Sequence, residues 1–137
     1  QARYKGFCDA VCDMGREELA QNVVIADFTL DSGYEKAGEI LGKCTGLDGL
    51  ICATDAMAVG AMRYLREHEI AVPQKILVAG HGDSEITRMT VPSLITAHYY
   101  YEKSGILSVR RLMELLRHEE GIVEEVKLGY EIVDLNG

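Results

Sequence analysis

The sequence predicts an α/β fold built on a mostly parallel, doubly wound sheet, and two observations carry this prediction. Short apolar runs that are typical of buried strands alternate with segments whose apolar residues recur every three or four positions. The runs are nearly continuously apolar, so we expect helices on both faces of the sheet. The chain has 137 residues, of which 47% are apolar and 26% are charged, which suits one ordinary domain.

The first helix is predicted from Tyr4 to Cys12, where apolar residues recur at helical spacing, and it should end at Gly15. Residues 23–26 are rich in β-branched side chains and are predicted as a buried strand. Ser32 and Glu35 have capping-box spacing, so we expect the second helix to start there. Either of the glycines at 42 and 46 should end it.

The later elements follow the same alternation. Strands are predicted at residues 50–53, 76–79 and 94–97, and a half-exposed strand at 126–132. Thr54 and Asp55 should cap the helix after the second strand. A long amphipathic helix is expected at 106–116, and the longest apolar runs are far short of the roughly 20 residues that span a bilayer. We therefore expect no membrane contact.

Composition and cysteine spacing argue against nucleic acid and metal ions as binding partners of this segment. The net charge of −8 repels phosphate backbones, so this segment alone should not bind nucleic acid. Cys8 and Cys12 could form a metal pair or a buried stripe, but no further ligands follow at metal-site spacing. We expect four small buried thiols, no metal and no cofactor. Free thiols suit a reducing cytoplasmic location, and no signal peptide is visible.

Polar residues follow three predicted strands, at the edge where open α/β sheets bind ligands. They are Asp27–Phe28, Thr54–Asp55 and the loop from 81 to 83. The pattern leaves two interpretations open, a small-molecule rim or simple caps and turns. No catalytic site is expected, because His81, Asp83 and Ser84 are neighbours in one loop and cannot easily align as a triad.

Five ordered segments resemble a known family. They are RYKGF (3–7), DSGYEKAGEIL (31–41), ICATDAMAVGAM (51–62), VPQKILVAGHGDS (72–84) and VPSLITAHYYYEKSG (91–105). Together they are similar to the later part of the effector-binding domain of lactose/galactose-repressor-type transcription regulators. Periplasmic sugar-binding proteins share that fold, but the third and fifth segments favour the regulators. The stretch HYYYEKSG (98–105) looks most like sucrose-operon repressors.

The resemblance implies a periplasmic-binding-protein-like lobe that is incomplete in residues 1–137. A DNA-binding helix-turn-helix headpiece and nearly all of a first lobe would precede Gln1, and residues 104–135 would partly return to that lobe. We therefore expect the effector-sensing part of a sugar-responsive, dimeric repressor that is not an enzyme and contacts DNA only through the headpiece. The alternative is a solute-binding component of a sugar transport system.

The resemblance also implies candidate effector contacts. Arg3 matches an arginine that reaches the effector, although a surface arginine is the other interpretation. Phe28 matches an aromatic residue that stacks on the effector, and core packing remains open for it. Thr54 and Asp55 match a polar pair of which the first often touches ligand and the second more often caps the helix.

One loop departs from the family pattern. Many relatives carry an aromatic residue and then two acids there, and Gly82 replaces the first acid. His81 or Asp83 could compensate, although Asp83 could equally brace its own loop. In the family, the helix that matches residues 56–66 packs against its symmetry mate, so Val59 and Met62 are expected between two subunits.

Overall fold

A computed structural model of the chain describes residues 2–117 and 125–134. Within these two ranges, four strands form one sheet in the order β1 (Gly49–Ile51), β2 (Leu77–His81), β3 (Ile95–Tyr99) and β4 (Tyr130–Asp134). The first three strands pair in parallel, and β4 runs antiparallel to β3. The predicted α/β class with a mostly parallel sheet is confirmed.

The described residues also form four α-helices and short 3-10 helices at Glu17–Gln21 and Glu85–Met89. The α-helices are α1 (Ala2–Asp13), α2 (Leu30–Lys43), α3 (Asp55–Glu67) and α4 (Tyr101–Leu116). The chain leaves α1 through Gly15, as predicted. Gly15 has a φ of +66°, and the Arg16 N–H donates to the Val11 carbonyl at 2.7 Å, which closes the helix end.

The start of α2 differs from the prediction. Thr29 is the N-cap residue, and its side-chain oxygen accepts from the Ser32 N–H at 3.1 Å. The Ser32 hydroxyl accepts instead from the Asp27 N–H at 3.0 Å, so it is not the cap. The predicted Ser32–Glu35 capping box is therefore wrong, because the extended backbone that a cap requires occurs three residues earlier.

The strand predicted at residues 23–26 is also wrong. This segment has no regular structure, and the Ile25 side chain is 90% exposed. A strand needs a neighbour for its N–H and C=O groups. In the common 2-1-3-4-5 order of doubly wound sheets, this run would be separated from β1 by one strand position. No strand among residues 2–117 and 125–134 fills that position, so the run has no ladder to join.

The core lies between the sheet and the pair α2 and α3. Close contact between the two helices depends on glycine, because a Cβ at Gly60 would stand 2.0 Å from the Leu30 carbonyl oxygen. The buried core residues are Ala37, Leu50, Ala58, Ala61, Met62, Leu65, Ile76, Val78 and Leu94. Burying side chains of this kind contributes about 1.5–3 kcal/mol for each large aliphatic residue.

The opposite face of the sheet is more open than predicted. Ile51 is 66% exposed and Leu77 is 50% exposed, so the expected cover of helices on both faces is not seen in the described part of the chain. The helix α4 is amphipathic as predicted, but its apolar residues, such as Val109 and Leu112, are also exposed. None of the described helices combines the length and the apolar character needed to cross a membrane.

The four cysteines are free thiols, but they are not all buried. Cys12 is exposed, which corrects the expectation of four buried side chains, while Cys8, Cys44 and Cys52 are half-buried. Burial raises the pKa of the Cys52 thiol to about 12. Within residues 2–117 and 125–134, no three His, Cys, Asp or Glu side chains form a group that could hold a metal ion.

Candidate functional site

The carboxyl ends of β1, β2 and β3 lie at one edge of the sheet, because the three strands are parallel. Thr54 follows β1, His81 ends β2, and His98 is the fourth residue of β3. The predicted strand-end residues at positions 54, 81 and 83 therefore come to the same edge.

Asp55 joins three elements through its buried carboxylate. The residue is 2% exposed, and Oδ1 accepts from the Thr96 hydroxyl at 2.6 Å. Oδ2 accepts from the Ser84 N–H at 2.8 Å and from the Ser84 hydroxyl at 2.9 Å. Both oxygens are thus occupied by protein donors. These hydrogen bonds fix the loop after β2 against β3, and the effector contact expected of Asp55 stays a prediction.

Two glycines make room for this carboxylate. A Cβ at Gly80 would stand 2.5 Å from Asp55 Oδ1. Gly82 has a φ of +131°, which L side chains rarely adopt, and a Cβ there would lie 3.2 Å from Asp55 Oδ2. In this backbone conformation an acid at position 82 would be strained, and it would stand beside an existing carboxylate.

Asp83 is turned into the protein, away from solvent. Its side chain is 8% exposed, and its backbone N–H donates to the Thr96 hydroxyl oxygen at 3.1 Å. Asp83 Oδ2 accepts from His98 Nδ1 at 2.8 Å. The Arg88 guanidinium lies 3.1 Å from Oδ1 and 3.2 Å from Oδ2, and only the Oδ2 contact has hydrogen-bond geometry. Of the two interpretations of Asp83, its surroundings favour the one in which it braces the loop.

His81 and Thr54 keep polar groups at the edge. His81 Nδ1 lies 2.9 Å from the Cys52 carbonyl oxygen, which fixes the ring. Thr54 is the N-cap residue of α3, as predicted, and its hydroxyl oxygen accepts from the Met57 N–H at 3.3 Å. The Thr54 hydroxyl can still donate its proton to a ligand.

Arg3 and Phe28 lie outside this cluster. Arg3 is exposed in the first turn of α1, a helix that packs against the 3-10 helix Glu17–Gln21. No hydrogen bond or ion pair joins Arg3 to the strand ends within the described residues. Phe28 is 67% exposed just before the cap of α2, so it does not belong to the core. Their effector contacts stay predictions.

The predicted interface residues are largely covered by the chain itself. Met62 is 8% exposed and belongs to the core between α2, α3 and the sheet. Val59 is half-buried and packs against the same core. Little of the Met62 side chain is left for contact with a second copy, and the expected homodimer stays a prediction.

Three contributors to the site were not predicted from the sequence: Arg88, Thr96 and His98. The predicted strand 94–97 ends one residue before His98, so this side chain was not placed at the edge. Thr96 is fully buried among apolar residues of β3, and only its partners Asp55 and Asp83 show its role. The sequence signal for His98 is its position directly after a predicted strand.

The chain resembles known proteins along almost its whole length. A family profile described as a periplasmic binding protein-like domain matches residues 1–134. The regulator GalR of Lacticaseibacillus casei is 35% identical over 111 residues, which are 80% of this chain and 34% of the relative. The repressor PurR of Glaesserella parasuis is 31% identical over 127 residues, which are 92% of this chain and 37% of the relative.

Solved structures show the same fold. The structure of a transcriptional regulator CelR–cellobiose complex has a TM-score of 0.88 and 27% sequence identity. The similarity covers 96% of this chain and 40% of that chain. The chain thus spans little more than a third of the length of these two curated relatives.

Proposed function

Because this chain belongs to the periplasmic binding protein-like family, and because its two curated relatives are named as helix-turn-helix-type regulators, we propose that it is the effector-sensing part of a sugar-responsive transcriptional repressor. The observation that supports this proposal is the polar edge at the carboxyl ends of β1, β2 and β3. At this edge, Asp55 holds the loop after β2 against β3. Such an edge is where open α/β sheets bind small ligands.

We expect the full-length protein to contain a first lobe and a helix-turn-helix headpiece. This chain would supply one wall of a cleft, with Thr54 and His81 as polar contacts. Arg3 and Phe28 would then join the site from the segments before α2. The full-length protein would act as a cytoplasmic homodimer without enzymatic activity, and effector binding would bias lobe closure and hence operator affinity.

The relatives favour this role over the transport alternative. The two curated relatives described above, each more than 30% identical to the chain, carry the names of transcriptional regulators. The fold alone would suit either class, because fold does not determine function. A solute-binding protein would have to bind its sugar without any change in DNA binding.

Calorimetry and a DNA-binding assay on the full-length protein test the proposal. We expect one sugar from a panel that contains sucrose, fructose and cellobiose to bind in the micromolar range, about −8 kcal/mol. Sucrose is included because the stretch HYYYEKSG resembles sucrose-operon repressors, and cellobiose is included because the CelR structure contains it. The same sugar should change operator affinity. Sugar binding with no change in DNA binding would favour a transport protein.

The isolated 137-residue chain gives a second comparison. With one wall only, each hydrogen bond to the sugar replaces one to water, a net gain of about 1 kcal/mol or less. We therefore expect negligible binding by the isolated chain. Micromolar binding to it would show that a second lobe is not needed.

A further inference from the structure

The two cysteines of α1 form a pair on one side of that helix. Cys8 and Cys12 are four residues apart within Ala2–Asp13, so their side chains lie on the same face, one turn apart. Cys12 is exposed, Cys8 is half-buried, and both are free thiols. Neither thiol takes part in the polar edge described above, so the proposed function leaves this pair unexplained.

Tyr4 lies one turn before Cys8 and accounts for the difference in exposure between the two thiols. The Tyr4 hydroxyl donates to the Ala20 carbonyl oxygen at 3.4 Å, which ties this side of α1 to the 3-10 helix that follows. A hydrogen bond with the Cys8 side chain raises the pKa of the Tyr4 phenol, so the thiol lies beside the hydroxyl. A reagent from solvent therefore meets Cys12 first and Cys8 next.

The spacing of the pair is too wide for a disulfide between the two thiols. Cβ atoms four residues apart on a helix are about 5–6 Å apart, whereas a disulfide requires about 3.5–4.5 Å. Oxidation of the pair would therefore have to unwind this part of α1. One atom placed between the two sulfurs removes the mismatch, because two bonds to sulfur span a longer distance than one S–S bond. The pair thus suits a single bridging atom.

The number of available ligands limits which atom the pair can hold. A structural zinc site takes four protein ligands, but the described part of the chain contains no group of three His, Cys, Asp or Glu side chains suited to a metal ion. Trivalent arsenic with one organic substituent requires only two thiolates, because its third bond is already to carbon. Thiolate sulfur is also the ligand type that soft atoms prefer. Two thiols therefore complete its coordination.

We propose that Cys8 and Cys12 form a capture site for organic compounds of trivalent arsenic, which the two thiols hold as a cyclic dithioarsenite. In the hydrated reagent R–As(OH)₂, the Cys12 thiol forms an As–S bond, and one hydroxyl leaves as water with the thiol proton. The Cys8 thiol displaces the second hydroxyl in the same way. Arsenic stays trivalent throughout, so no oxidant or reductant is consumed. The second step is intramolecular, so the closed ring is retained far better than an adduct of one thiol.

Protection of Cys12 from alkylation measures the capture. The full-length protein is incubated with phenylarsine oxide and excess mercaptoethanol, and then, after gel filtration, with iodoacetamide at pH 8. Mass spectrometry of the tryptic peptide 6–16, which contains both thiols, reports the labelling. We expect Cys12 to escape labelling and the dithiol dimercaprol to restore it. In Cys8→Ser, protection of Cys12 should require about 100-fold more arsenical, because mercaptoethanol competes with a single thiol.

A variant with two thiols at the wrong spacing is the matched control. Cys12→Ser combined with Asp13→Cys puts the thiols five residues apart, about 140° around the helix, so the new thiol should be labelled despite the arsenical. The tryptic peptide 44–63 is an internal reference, because its two thiols, Cys44 and Cys52, belong to different elements. Its labelling should not change. Labelling of Cys12 that phenylarsine oxide does not reduce would overturn the proposal, as would equal protection in Cys8→Ser or in the spacing control.

Discussion

Removing the Asp55 carboxylate should detach the loop after β2 from the rest of the sheet edge. The carboxylate accepts hydrogen bonds at 2.6, 2.8 and 2.9 Å from Thr96 and Ser84 while 2% exposed. Hydrogen bonds to a charged group contribute about 1.5–3 kcal/mol each. Part of that sum offsets the cost of burying the charge, so we expect Asp55→Ala to destabilise this region by about 4 kcal/mol.

Hydrogen exchange of the full-length protein is the suitable assay, because it reports the loop separately from the other lobe. A loss of about 4 kcal/mol corresponds to exchange about 1000-fold faster at the Ser84 amide. Asp31→Ala is the matched control, since Asp31 is also in the first turn of its helix but is exposed. Its loss should cost about 0.3–1 kcal/mol through the helix dipole. Equal effects of the two substitutions would refute the role assigned to Asp55.

Five further outcomes are expected. In the full-length protein, Arg3→Ala should weaken sugar binding by about 2–3 kcal/mol, because charged hydrogen bonds are lost, whereas Arg66→Ala should not; calorimetry measures both. Iodoacetamide at pH 8 should label Cys12 but not Cys52, whose pKa of about 12 keeps it a thiol, as mass spectrometry would show. Because this folded-state pKa lies above the ordinary value of 9.0, the Cys52 contribution to stability should fall as pH rises from about 9, which urea unfolding at pH 8 and 10 can follow. Met62→Lys should lower the urea midpoint strongly, because it buries a charge in the core, and unchanged stability would contradict the burial of Met62. The isolated chain, with its net charge of −8, should show no mobility shift with duplex DNA at physiological salt.

Local sequence patterns predicted the elements that depend on local chemistry. The end of α1 at Gly15 and the cap of α3 at Thr54 were confirmed, because a glycine with positive φ and a hydroxyl before a helix act within one turn. The cap of α2 was misplaced because Thr29 and Ser32 both carry a hydroxyl. Only the backbone of the folded chain determines which of them takes the extended conformation.

Features that depend on distant partners could not be predicted in the same way. The run at 23–26 has strand composition, but strand formation requires a neighbouring strand that sequence composition does not provide. The burial of Asp55 depends on Thr96, which lies 41 residues away along the chain. The orientation of His98 in β3 depends on Asp83 in the loop after β2. These relations arise from the register of β2 and β3, which a local pattern does not contain.

The glycine at position 82 shows why a family pattern must be transferred together with its surroundings. Matched by position alone, Gly82 removes an acidic contact and suggests a weaker site. In the structure, the same glycine lets the loop turn with a φ of +131° beside the Asp55 carboxylate. That turn brings Asp83 to His98, whose ring it holds through Nδ1. The absence of an acid at position 82 and the contact of Asp83 with His98 therefore go together with one backbone conformation.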